Sequence, residues 1–167
     1  DDTLEASGHD GNFWSPGLAD SGTLRGFYSN SDNEAYAIDG NHGFENLQTG
    51  EVVDSLPGLT EVDGGAGNDS IVATGYDVIV YDSEGADTVD ASSLFSGAIL
   101  ASDGDLVLGS DFLNPDVVVL GSNYTFEGGE GSEYAFSGDG ADASGGAGDD
   151  TLIAGGDGSL AGDEDDD

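Results

Sequence analysis

Residues 64–72 read GGAGNDSIV, and residues 145–153 read GGAGDDTLI. The two stretches differ only by like-for-like exchanges: Asn68 for Asp149, Ser70 for Thr151, Ile71 for Leu152 and Val72 for Ile153. Both fit G-G-x-G-x-D-x-U-x, with U a large apolar residue. Glycines at this density supply the positive φ angles of a tight turn. The residues after the aspartate, small polar then apolar, suit a short strand. A unit of this kind, repeated along a chain, signals a stacked architecture rather than a single packed core.

Weaker copies surround the two good ones. They are Gly75-Tyr76-Asp77-Val78-Ile79, then Gly85-Ala86-Asp87-Thr88-Val89, then GGEGSEYAF over residues 128–136 with Glu133 in the aspartate position, and a remnant with Gly138, Gly140 and Asp142. Asp69 and Asp87 stand two units apart, with Asp77 between them. Asp105 and Asn123 extend the same ladder without glycine pairs. Apolar strand positions recur at Ile71, Ile79, Val89, Ile99, Val107, Val118, Thr125, Ala135, Ala143, Leu152 and Leu160, a spacing of about nine. Segments 77–81 and 116–120 are short and β-branched, and no stretch sustains a helical period.

The pattern resembles the calcium-binding nonapeptide of the RTX (repeats-in-toxin) family. It covers residues 64–90 and 128–153 and extends loosely beyond them. The resemblance implies an all-β chain, a parallel β-roll or β-solenoid with about 18 residues per coil. Asp69 and Asp87 would then share one edge and Asp77 the other. It also implies Ca2+ as cofactor. Carried over by position, Asp69 and Asp150 are the first ligand candidates, followed by Asp77, Asp87 and Asp142. Glu133 takes an aspartate position with a longer side chain. Gly65, Gly67, Gly146 and Gly148 would turn backbone carbonyls toward the ion. Calcium takes about six to eight oxygens. One turn offers too few, so each ion would bridge stacked coils. The family's repeats belong mostly to proteins exported by type I secretion that fold on meeting calcium outside the cell.

Composition agrees with a cation-dependent chain. There are 36 Asp plus Glu against one basic residue, Arg25, for a formal net charge of −35. Such charge must be screened by salt or neutralised by bound cations. It repels a phosphate backbone, which excludes nucleic acid as a partner. A disordered acidic tail is the simplest alternative, but a 36% hydrophobic content is too high for it. Cysteine is absent, so no disulfides form, and no apolar run is long enough for a transmembrane helix. No signal-peptide pattern opens at Asp1, which leaves a mature form, an excised domain or export by another signal open.

These readings divide the chain into an irregular or degenerate-repeat part at 1–60, a calcium-binding β-roll at 61–162 and an acidic tail at 163–167. His9 and His42 sit among turn residues without partner ligands, and no G-x-S-x-G elbow occurs. Tyr124, Phe126, Tyr134 and Phe136 are read as strand or core residues rather than a carbohydrate ladder. No enzyme activity is expected. The expected function is an extracellular, secreted or surface-associated calcium-binding structural protein: a rod, matrix component or filament subunit. It would fold on binding calcium, and its coils could stack head to tail into a homopolymer. Two other readings stay open. One is an adhesin or surface-attachment module with its specificity in residues 1–60. The other is the calcium-dependent accessory region of a secreted enzyme.

Overall fold

The computed structural model describes residues 3–8, 12–18, 24–29, 35–39, 43–46, 48–53, 56, 59–81, 84–112 and 116–163. Every regular element among them is a strand. In chain order these are β1 (Thr3–Gly8), β2 (Asn12–Leu18), β3 (Leu24–Ser29), β4 (Ala35–Asp39), β5 (Gly43–Asn46), β6 (Val52–Val53), β7 (Thr60–Asp63), β8 (Ser70–Gly75), β9 (Val78–Tyr81), β10 (Thr88–Leu94), β11 (Ser96–Ala101), β12 (Leu106–Leu108), β13 (Asp116–Gly121), β14 (Thr125–Glu127), β15 (Tyr134–Ser137), β16 (Asp142–Ser144), β17 (Thr151–Ala154) and β18 (Ser159–Ala161).

From β7 onward the chain alternates between two parallel sheets. The first has the order β1-β8-β10-β12-β14-β16-β18, and the second runs β7-β9-β11-β13-β15-β17. One strand in each sheet, with a turn at each edge, makes one coil. The result is a β-solenoid of about five coils, each of about 18 residues. The first sheet is in register through Ser70, Thr88, Leu106, Thr125, Asp142 and Ser159.

Strand alternation puts every second side chain between the sheets. In the first sheet one continuous rung is Ile71, Val89, Val107, Phe126, Ala143 and Leu160. In the second it is Val80, Ile99, Val119, Ala135 and Leu152. These rungs as far as Ala143 and Leu152, with Val78, Leu94 and Tyr124, form one narrow core, while Leu160 is exposed. Three apolar positions expected from the repeat therefore fall one residue off. Phe126, not Thr125, fills the core, and Thr125 is exposed. Val80 and Val119 take the rung in place of Ile79 and Val118. Val78 to Tyr81 is buried throughout, so its sequence offers no polar residue to mark the outward face. Ile79 instead joins a second cluster with Leu56, Tyr81 and Ala98, which covers the other side of the second sheet.

Among the described residues of the first 60, most strands belong to an antiparallel sheet. Thr3–Gly8 pairs in parallel with Ser70–Gly75 and flanks the first sheet. Strands β2 to β6 form a separate antiparallel sheet in sequence order. Val53 belongs to it, paired against Phe44, and does not extend the solenoid rung backwards from Val62. Neighbouring strands in this sheet are joined by short connections, which antiparallel pairing permits and parallel coils do not. Strand β2 lies against β11 and β13.

The coils stack closely enough to require glycine. A Cβ on Gly128 would lie 1.5 Å from the carbonyl oxygen of Gly145 in the next coil.

Candidate cation sites on the two edges

The two best motif copies lie on opposite edges. Turn 64–69 carries the chain from the second sheet to the first, and turn 145–150 carries it from the first to the second. Their backbones agree nonetheless. Gly65 and Gly146 have φ of 78° and 93°, and Gly67 and Gly148 have 134° and 121°. The shared sequence therefore produces the same left-handed turn in both places.

On the first edge, Asp69, Asp87 and Asp105 precede the in-register strand starts Ser70, Thr88 and Leu106. All three are buried. The N–H of Asp69 donates to Oδ1 of Asp87 at 2.6 Å, and the N–H of Asp87 donates to Oδ1 of Asp105 at 3.1 Å. Asp105 also accepts from the N–H of Ser102 through Oδ2. Both its oxygens are thus engaged by backbone donors, whereas the buried Oδ2 of Asp87 meets none. The row then stops. The next rung is Tyr124, because Leu106 pairs with Thr125 and this coil is one residue longer. Asn123, which extends the ladder by spacing, is exposed. Its Nδ2 donates to Oδ1 of Asp103 at 2.9 Å. The Tyr124 ring is buried in the core, its hydroxyl 3.0 Å from Oγ of Ser137. Burial pushes that phenol up to about 12.

On the second edge the paired carboxylates are Glu133 and Asp150, from the motif copies at 128–136 and 145–153. The N–H of Glu133 donates to Oδ1 of Asp150 at 2.8 Å. Glu133 is itself fully buried, with no hydrogen bond to either carboxylate oxygen. Burial, and then the charge of Asp150, push its carboxyl up to about 8. Backbone groups of Gly129 and Ser110 pull in the opposite direction without reaching hydrogen-bond geometry at its oxygens. The space beside Gly131 is a cradle of oxygens. A Cβ there would lie 2.4 Å from the Phe112 carbonyl, 2.5 Å from Oε1 of Glu133 and 2.8 Å from the Ser110 carbonyl. At Gly145, Oδ2 of Asp150 would stand 2.5 Å from an added Cβ. Carboxylates and carbonyls gathered at glycine turns form the donor set that hard divalent cations take.

The other sequence-derived candidates are placed differently. Asp77 is on the second edge and buried, with φ of 56°. Its N–H donates to Oγ of Ser96 at 3.0 Å, and that hydroxyl donates back to Oδ1 of Asp77 at 3.1 Å. Its partner on the following coil is therefore a serine rather than a carboxylate. Asp142 enters neither row: it is exposed on β16 and accepts from Oγ of Ser159 at 2.6 Å. Asp105 lies in the carboxylate row although its turn lacks the glycine pair, and its 18-residue spacing from Asp87 is the signal that points to it. The carbonyls of Ser110 and Phe112 carried no sequence signal. His9, His42 and residues 164–167 lie outside the described residues.

Among the described residues no three acidic or imidazole side chains converge on one point. A cation here would be held by two carboxylates together with backbone carbonyls. No described helix is long and apolar enough to cross a membrane. No protein-family model, curated protein or solved structure matches this chain. The RTX resemblance rests on the motif residues themselves.

Proposed function

We propose that this chain is a calcium-stabilised structural solenoid that works outside the cell. One observation carries the reading: Glu133 is a buried carboxylate with no donor at either oxygen, one coil from buried Asp150 and beside a glycine cradle of carbonyls. Burying an uncompensated carboxylate is strongly unfavourable. The chain has one basic residue to offer against 36 acidic ones. A divalent cation supplies the missing charge and links adjacent coils. Glu133 and Asp150 would hold it on the second edge, and Asp69 and Asp87 on the first. Calcium accepts this irregular oxygen set more readily than magnesium, which demands near-octahedral geometry and sheds its water reluctantly. Extracellular placement follows from the need for plentiful free calcium.

The architecture supports a structural role, because stacked coils form a rod whose length scales with coil number. Strand β18 is the last strand of the first sheet. It is exposed throughout, and Leu160 on its core rung is 44% exposed. End-to-end association of copies would cover that end. The antiparallel sheet β2–β6 favours a second reading, a surface-attachment module, because it is the non-repeat element such a module requires. Sedimentation across a calcium titration separates the two. Association that grows with calcium supports the structural rod, and a monomer at saturating calcium supports the attachment module.

A further inference from the structure

Tyr76, Phe95 and Phe112 stand on successive coils of the second edge. Tyr76 follows β8, Phe95 joins β10 to β11, and Phe112 follows β12. The first two ring centroids are 4.7 Å apart and tilted by 43°, and the next pair is 5.4 Å apart at 64°. Tyr76 is 37% exposed and Phe112 is 41% exposed, with Phe95 half-buried between them. The backbone fixes this ridge. The N–H of Phe95 donates to the Gly75 carbonyl at 2.7 Å, and the N–H of Phe112 donates to Oγ of Ser110 at 3.2 Å. Single exposed apolar residues need no explanation, but three contiguous rings held in place mark a contact surface.

The same edge becomes acidic on the following coils. Asp111 adjoins Phe112 in sequence, and Glu130 and Asp149 are exposed in the next two turns. Hydrogen bonds from Gly131 N–H to the Ser110 carbonyl and from Asp149 N–H to Oγ of Ser132 keep these turns stacked. The edge is thus aromatic over three coils and acidic beyond them, on a chain of net charge −35. Anionic partners are repelled, and a neutral saccharide can donate hydrogen bonds to the carboxylates but gains no Coulomb attraction from them. A guanidinium or ammonium group gains from both halves, by cation–π attraction at ring faces and by Coulomb attraction to the acids.

We infer that the second edge docks a basic peptide segment. One arginine or lysine side chain lies on the Tyr76–Phe95–Phe112 ridge, and further basic residues meet Asp111, Glu130 and Asp149. Docking needs the coils folded and uses the ring of Phe112, whereas the cation cradle uses the backbone carbonyl of that residue, which a side-chain substitution retains.

The test is fluorescence anisotropy of a labelled peptide of alternating arginine and glycine, titrated with calcium-saturated protein whose fold is checked by circular dichroism. Tyr76→Ser/Phe112→Ser leaves net charge unchanged and should weaken binding about tenfold. Glu84→Gln/Asp157→Asn removes two exposed charges from the first edge and should change affinity less than about twofold. If the serine variant fails to fold, Tyr76→Leu/Phe112→Leu keeps apolar bulk, removes the ring faces and should show the same loss. Equal affinity of a folded ridge variant and the wild type would overturn the proposal, because net charge alone would then explain binding. Ridge-dependent capture of a neutral β-linked glucose oligomer, with peptide binding unaffected by the ridge, would overturn it equally.

Discussion

The backbone N–H of Glu133 donates to Oδ1 of Asp150 at 2.8 Å, one coil away, while the Glu133 carboxylate itself is buried without a donor. One residue thus locks the coil spacing through its main chain, while burial pushes its carboxyl up to about 8, so that an unmatched charge appears only as it ionises there. Glu133→Gln removes the charge and keeps the shape. At limiting calcium and above pH 8, where the wild-type carboxyl is ionised, the variant should melt higher than the wild type, by about 3 °C for each kcal/mol of relieved charge burial. It should also gain less stability from calcium. Calorimetry at limiting and at saturating calcium reads both effects.

The same carboxyl sets a pH dependence. Its folded value of about 8 lies above the ordinary value of 4.5. In the cation-free chain the folded state therefore holds a proton that the unfolded state releases between these values. This contribution to stability is complete below 4.5 and is lost as pH rises through 8. In chelator the wild type should be more compact at pH 5 than at pH 8, and Glu133→Gln should lose part of that difference. Calcium must displace the proton, so the wild-type calcium midpoint should rise as pH falls. Small-angle scattering in chelator and calcium titration, each at several pH values, measure the two effects.

Position, rather than acidity, should decide which aspartates matter. Asp69 and Asp150 are buried at glycine turns, and Asp142 is exposed on a strand. Asp69→Ala and Asp150→Ala should each raise the calcium midpoint for folding by roughly tenfold, about 1.4 kcal/mol. Asp142→Ala should shift it less than about twofold. Circular dichroism during calcium titration compares the three variants directly.

Stacking distance supplies a test independent of cations. Gly128→Ala places a methyl 1.5 Å from the Gly145 carbonyl, so backbone must move. It should cost about 2–3 kcal/mol. Gly50→Ala meets no atom within 4 Å and carries only the strain of its positive φ of 71°, about 1 kcal/mol. Thermal melting of both variants in calcium checks the order.

Much of the solenoid was legible because its repeat is nearly regular. The spacing of Asp69 and Asp87 predicts their shared edge, with Asp77 on the other. Legibility failed where coil length or alternation broke. A longer coil moved the rung from Asn123 to Tyr124, which ends the carboxylate row with a core aromatic. The uninterrupted apolar run Val78–Tyr81 hid which of Ile79 and Val80 faces inward. Thr3–Gly8 carries no turn motif, and its pairing with Ser70–Gly75 spans more than sixty residues of sequence. The oxygen cradle at Gly131 draws on backbone carbonyls of Ser110 and Phe112, which any residue types would provide.

The central claim is that cations complete the fold. Small-angle scattering of the full chain across a calcium titration, begun in chelator at neutral pH and repeated with magnesium, tests it most directly. The expected result is an expanded chain in chelator, cooperative compaction as calcium binds, and weak rescue by magnesium. Equal compactness in chelator and in calcium would contradict it.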